Sequence, residues 1–273
     1  MIQLRKLLAI SVLTLIATHV YAEDAVNPMP VVNNDWRFSA SINGWMPATF
    51  VTATAGNLSK SADSSIGDNI KNSGAFVFFT GEAHKGDWGL MADLVYSQMS
   101  GDTSKTKYIQ NKYDIGNSLY AGLNTKTTST ILTVAGTYKA HQSDSLYLDV
   151  LAGARYISST STVSATAKLT AAGYTLSASG NQSFTSQTTD AIVGFKGRAR
   201  ISDTAWFIPY YVDAGKGVGA NNKTWQTILG VGKGYSWGDV TLTYRAMYFD
   251  LNSGVATTKI LEAGPQLAAT FNF

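Results

Sequence analysis

The chain has 273 residues, no cysteine, and only 14% charged residues against 45% hydrophobic ones. Soluble domains carry about a quarter charged residues, so an ordinary cytosolic surface is excluded; polarity rests on Ser, Thr, Asn, Gln, Gly and Tyr. The net charge of +3 comes from scattered Lys and Arg with no basic run, which leaves nucleic-acid binding without an electrostatic footprint, and the lack of Cys excludes a disulfide framework.

Residues 1–22 read as a secretory signal. Arg5 and Lys6 form the positive start, 7–20 the apolar run, and Val20-Tyr21-Ala22 a small-residue exit site with cleavage after Ala22. Ser11, Thr14, Thr18 and His19 interrupt that run too often for a membrane span. Residues 23–34 contain Pro and Asn and are expected to form a mobile periplasmic tail. Downstream no run of about eighteen apolar residues offers a transmembrane helix. An exported chain of this kind is soluble or a β-barrel, because only closed barrels satisfy strand backbone groups within lipid.

From residue 35 onward the period is two. Trp36, Phe38, Ala40 and Ile42 alternate with Arg37, Ser39, Ser41 and Asn43, and 56–73 then reads as a polar loop. Strands follow over 75–84 and 88–97, separated by Lys85-Gly86-Asp87. After a long polar segment at 101–126 come strands at 131–139 and 146–156, joined tightly at 143–145. The Ser/Thr/Ala-rich stretch 158–188 alternates in places and suits a hairpin standing above a membrane. Strands at 190–198 and 206–212 flank a third tight turn, and those at 224–235 and 240–248 a fourth, Ser236-Trp237-Gly238. The closing strand, 259–273, places Leu261, Ala263, Leu267, Phe271 and Phe273 opposite Glu262, Gln266, Thr270 and Asn272.

Residues 35–273 therefore predict an all-β, transmembrane, antiparallel up-and-down barrel of about ten strands, with eight or twelve as alternatives. Three-residue turns alternate with longer polar loops, as short periplasmic turns and longer outer loops do in such barrels. No helical period interrupts the series. Trp36, Trp88, Trp206 and Trp237 fall at expected periplasmic ends, and Tyr96, Tyr156 and Tyr248 lie a strand-length later. Together they suit an aromatic girdle, since eight residues at ~3.3 Å and ~40° tilt rise about 20 Å. The opposite, inward face collects Arg37, Lys139, Arg155, Lys196, Arg198 and Arg245 together with Glu82, Asp93, Asp149, Asp190, Asp213 and Glu262. Outward charge is nearly absent, as expected where a charge at the lipid midplane costs ~2–4 kcal/mol.

The segments 86–96 (GDWGLMADLVY), 148–156 (LDVLAGARY) and 225–232 (WQTILGVG) resemble recurrent blocks of small outer-membrane β-barrel proteins of Gram-negative bacteria. The resemblance extends over most of the chain after the signal, including Gly264-Pro265. It implies a fold and a location and brings no activity with it. It further implies that Phe271 and Phe273 form the signal by which the outer-membrane assembly machinery reads the last strand.

Beyond the signal only two His occur, His84 and His141, both beside expected periplasmic turns. That leaves no metal site and no hydrolytic constellation at an outer rim, and no glycine spacing suits a nucleotide cofactor. The expected function is accordingly a structural or surface-interaction barrel with a largely charge-filled lumen and no catalysis. The alternatives are a narrow pore for small solutes and an adhesin acting through 101–126 and 158–188. Expected partners are outer-membrane lipid, lipopolysaccharide and the assembly machinery.

Overall fold

The computed structural model of the protein describes residues 26–109, 117–171, 174–217, 222–252 and 256–273. The expected signal and its cleavage site lie outside these residues.

Alternation of apolar and polar side chains along nearly every segment makes strands that cannot bury one face alone, and they close on one another. The elements are β1 (Trp36–Trp45), β2 (Ala48–Ala55), β3 (Leu58–Ser64), a short helix α1 (Ile66–Asn72), β4 (Ser73–Lys85), β5 (Trp88–Ile109) and β6 (Asn117–Gln142). They continue with β7 (Leu146–Ala171), β8 (Tyr174–Arg200), β9 (Trp206–Gly217), β10 (Lys223–Tyr235), β11 (Gly238–Asn252) and β12 (Ala256–Asn272). Strands β4 to β12 pair antiparallel in chain order, β1 pairs with β4, and β12 returns to β1, which closes a ring of ten. The seam is sealed at its end by Phe38, which exchanges backbone hydrogen bonds with Phe273 at 3.1 and 2.8 Å.

Pro47 has no N–H to give a ladder, and the first strand breaks there. Its continuation, β2, pairs with the upper part of β12 and hairpins into β3. The expected loop at 56–73 is thus replaced by a strand and a short helix. Ser65 caps α1, accepting from the Asp68 N–H at 3.2 Å. Buried Asn69 ties the helix down by donating to the Pro47 carbonyl at 2.8 Å and to Thr49 at 3.0 Å. The expectation of an uninterrupted strand series missed this helix because seven residues, about two turns, are too few to show a period.

The four short turns fall where expected, with Gly86 supplying the left-handed φ of 58° that the β4–β5 turn requires. The other ends are unequal. Strands β5 to β8 run far past their neighbours as a four-stranded blade, held in register to the tips at Ile109↔Asn117 and Ala171↔Tyr174. The segment 101–126, expected as a loop, is strand for most of its length. The stretch 158–188 does rise as a hairpin. About fourteen residues at ~3.3 Å and ~40° tilt carry the blade roughly 35 Å beyond the ring.

Candidate functional site

Among the described residues, polar side chains from the ten strands of the ring converge in the lumen. Alternation aims Asp93, Asp149, Arg155, Asp190, Asp213 and Arg245 inward, and all six are nearly inaccessible to solvent. Outward lie Leu90, Leu132, Val150, Val193, Leu229 and Leu242, all exposed. This is the reverse of a soluble protein, whose apolar side chains sit inside.

Three levels fill the lumen. At mid-height Arg155 on β7 forks onto both carboxylate oxygens of Asp213 on β9, and also donates to Thr133, Thr224 and Gln226 at 3.0–3.2 Å. Arg245 on β11 reaches across to Asp93 on β5 at 2.5 Å and shares Gln226 at 3.1 Å. Its guanidinium lies 5.1 Å from the centre of the Trp45 ring. Gln226 thus joins the two ion pairs into one layer. Glycines on this face let the strands close around it: a Cβ at Gly153 would stand 2.1 Å from the Val134 carbonyl oxygen.

On the loop side of that layer most inward residues are apolar, although Glu262 lies level with Met247. Trp45, Phe78, Val95, Ile131, Ile157, Met247 and Phe249 form a buried cluster, with Leu251 and Ile260 packed against it. The lumen is therefore not charge-filled throughout, as expected, but closed by a charged layer under an apolar one. Alternation marks these positions as inward, yet a reading that seeks charges passes over them.

On the turn side is a cavity of about 520 Å³, lined among others by Arg37, Glu82, His84, Asp149, Lys196 and Arg198. Lys196 pairs with Glu82, which also meets His84 at 2.9 Å, and Asp149 lies 4.0 Å from the same lysine. Arg198 pairs with Asp239 at 3.2 Å, stacks 4.4 Å from the Phe207 ring centre, and donates to the Pro28 carbonyl at 2.9 Å. Pro28 and buried Met29 belong to the stretch expected to be a mobile tail. Instead, residues 26–34 lie against the mouth, with further hydrogen bonds from Gln142 to Pro30 and from Gly86 to Asn33.

Not every expected member joins the network. Asp190 accepts only from Thr188 at 3.0 Å, Arg37 faces the cavity, and Glu262 forms no ion pair within 4.0 Å among the described residues. Lys139 pairs at the rim with Asp87 at 2.7 Å. Asp239, Gln226, Thr133 and Thr224 were missed. Asp239 shares the inward phase of Thr241, Thr243 and Arg245, so alternation alone would have found it. The amide and hydroxyls carry no charge to mark them.

The aromatic residues sort by height. Trp36, Trp88, Trp206 and Trp237 lie exposed near the turn end, with Trp88 against Tyr138 at 4.8 Å and Trp237 against Phe271 at 5.1 Å. Tyr96, Tyr156 and Tyr248 lie toward the loop end, and Tyr248 stacks on Trp225 at 5.8 Å, a partner the sequence reading had not included. Among the described residues no cluster of three or more His, Asp or Glu is placed to hold a metal.

No protein-family model matches the sequence, and none of the curated proteins matches it. Solved structures do. The outer-membrane protease OmpT of Escherichia coli superposes with a TM-score of 0.54 at 9% identity, over 91% of this chain and 100% of that one. The translocator domain of the autotransporter NalP from Neisseria meningitidis follows at TM-score 0.34, 13% identity, and 86% and 88% coverage. The attachment invasion locus protein Ail of Yersinia pestis matches at TM-score 0.29, 10% identity, and 85% and 98% coverage. The first match overturns the expectation that this chain is not an enzyme. A barrel of the same architecture is a protease, so the fold does not exclude catalysis. At such identity the likeness is one of architecture. The chain has the fold of the outer-membrane β-barrel proteins of Gram-negative bacteria.

Proposed function

We propose that the protein is a sealed outer-membrane barrel that holds the β5–β8 blade outside the cell as a surface for contact. The observation that carries this reading is the stack in the lumen. The Arg155–Asp213 and Arg245–Asp93 layer lies beneath the apolar cluster, and together they leave the turn-side cavity blind. A ten-stranded barrel is only slightly wider than the eight-stranded kind whose interior side chains just fill. The charge-poor outward face and its aromatic ends suit lipid and lipopolysaccharide. The unequal strand lengths support an outward role, since a barrel needs only ~9–11 residues per strand to span a bilayer. In this reading the short turns face the periplasm, and Phe271 and Phe273 mark the last strand for assembly.

Two measurements test it. Refolded protein in planar bilayers should show no steady unit conductance; a stable open level would favour the narrow-pore alternative and sink the sealed reading. Trimming the blade, with 102–124 and 161–184 each replaced by a two-residue turn, should leave a heat-modifiable barrel but abolish adherence of expressing cells to surfaces. Unchanged adherence would remove the blade from the function.

A further inference from the structure

The blade has two free edges, and they differ. Among the described residues, β5 from Ser100 to Ile109 pairs only with β6, because β4 reaches no further than Met99. That edge carries Asp102, Lys105 and Lys107, all exposed. Charged side chains on an edge strand are the usual device against pairing with another chain. On the far side, among the described residues, β8 from Tyr174 to Thr189 pairs only with β7, since its pairing with β9 extends no further than Asp190↔Gly217. This edge is longer and reads YTLSASGNQSFTSQTT, without one charged residue, proline or register shift. Tyr174, Leu176 and Phe184 stand on it exposed at 81%, 73% and 61%.

We propose that this open edge of β8 pairs antiparallel with the same edge of a second copy of the chain carried in an apposed membrane. The claim rests on the reading of the blade as an external contact surface and names its partner. An edge that runs in one direction, presented to itself through a two-fold axis across the sheet, meets its copy antiparallel. Copies in one membrane point the same way and cannot do this, whereas copies in two facing membranes must. The self-pairing brings no like charges together, because the edge has none. The alternative within one membrane is β8 against the β5 edge of a neighbour. That would space copies by the ~19 Å width of four strands, less than a ten-stranded barrel needs once side chains are added to its ~20 Å backbone diameter. Pairing of this kind draws on main-chain hydrogen bonds and adds up over many copies on two surfaces.

The test uses full-length protein refolded into unilamellar phosphatidylcholine vesicles of two colours, with co-localisation as the readout. Wild-type vesicles should tether. The S179K/S183K and S179E/S183E variants, each checked for heat-modifiable migration, should lose tethering when presented to themselves. Lys-bearing vesicles mixed with Glu-bearing ones should regain it, because antiparallel self-pairing sets position 179 of one copy against position 183 of the other. Failure of wild-type vesicles to tether, undiminished tethering by the Lys variant, or no recovery on mixing would each overturn the proposal. If adherence of cells still depends on the blade while vesicles do not tether, the partner assignment falls and the contact-surface reading stands. If both fail, both fall.

Discussion

The ring and the blade are made of the same strands, yet they are held together differently. Within the ring each strand has two neighbours and an interior: Arg155 alone bonds to Thr133, Asp213, Thr224 and Gln226 from three other strands. In the blade the ladder has no second layer behind it. Its outer face is a set of hydroxyl rungs, Thr160–Thr185 at 3.1 Å, Thr162–Ser183 at 2.8 Å and Thr170–Thr175 at 3.1 Å. Its inner face leaves Leu119, Leu123, Leu169 and Leu176 exposed. Closure makes the ring a single cooperative unit, while an open sheet depends on many small cross-strand terms. The same contrast separates what seals the lumen from what is free to meet another surface.

Substitutions should divide along that line. The largest effect belongs to Arg155→Ala, which leaves Asp213 buried and unpaired and should cost about 3–5 kcal/mol. It should lower the temperature at which the unboiled, compact form is lost on gels. The double variant R155A/D213A should recover part of the loss, and no recovery would mean the pair is not the unit that closes the layer. Phe273→Ser comes next. It should reduce the amount of heat-modifiable barrel in the membrane fraction, while barrel that has assembled melts nearly as before. Equal loss of both would make the terminal Phe a packing residue instead of an assembly signal. The smallest effect is that of Thr162→Val, which removes one rung for about 0.2–1 kcal/mol. Hydrogen exchange should quicken around Ser183 with the ring amides unchanged; a change that spread into β9–β12 would erase the distinction between ring and blade.

The barrel was legible because alternation is a local code. Successive side chains point to opposite faces whatever the partner strand, so Arg37, Glu82, Asp93 and the rest were assigned to one side before any pairing was known. Asp239 obeys the same code and was overlooked, whereas the apolar layer around Trp45 and Phe249 obeys it without the charge that draws notice. Strand length beyond the ring was less legible. Residues 101–126 are polar on both faces for much of their course, and such a stretch reads as loop until a neighbour supplies its hydrogen bonds. The helix at 66–72 and the docking of Pro28 at the mouth depend on contacts distant in the chain, with Pro47 and Arg198.

The sequence by itself determined which face of each strand meets the outside and which the lumen, where the chain turns tightly, and a barrel of about ten strands, with eight and twelve left open until the β12–β1 pairing closed the ring. Those follow from period, turn residues and charge, all read within a few positions. Only the tertiary structure decided that Arg155 meets Asp213 and Arg245 meets Asp93, that the lumen is closed in layers, that four strands outgrow the other six, and that one blade edge is left bare. These depend on register and shear around the ring, which bring residues far apart in sequence to one height, and no local pattern encodes that height.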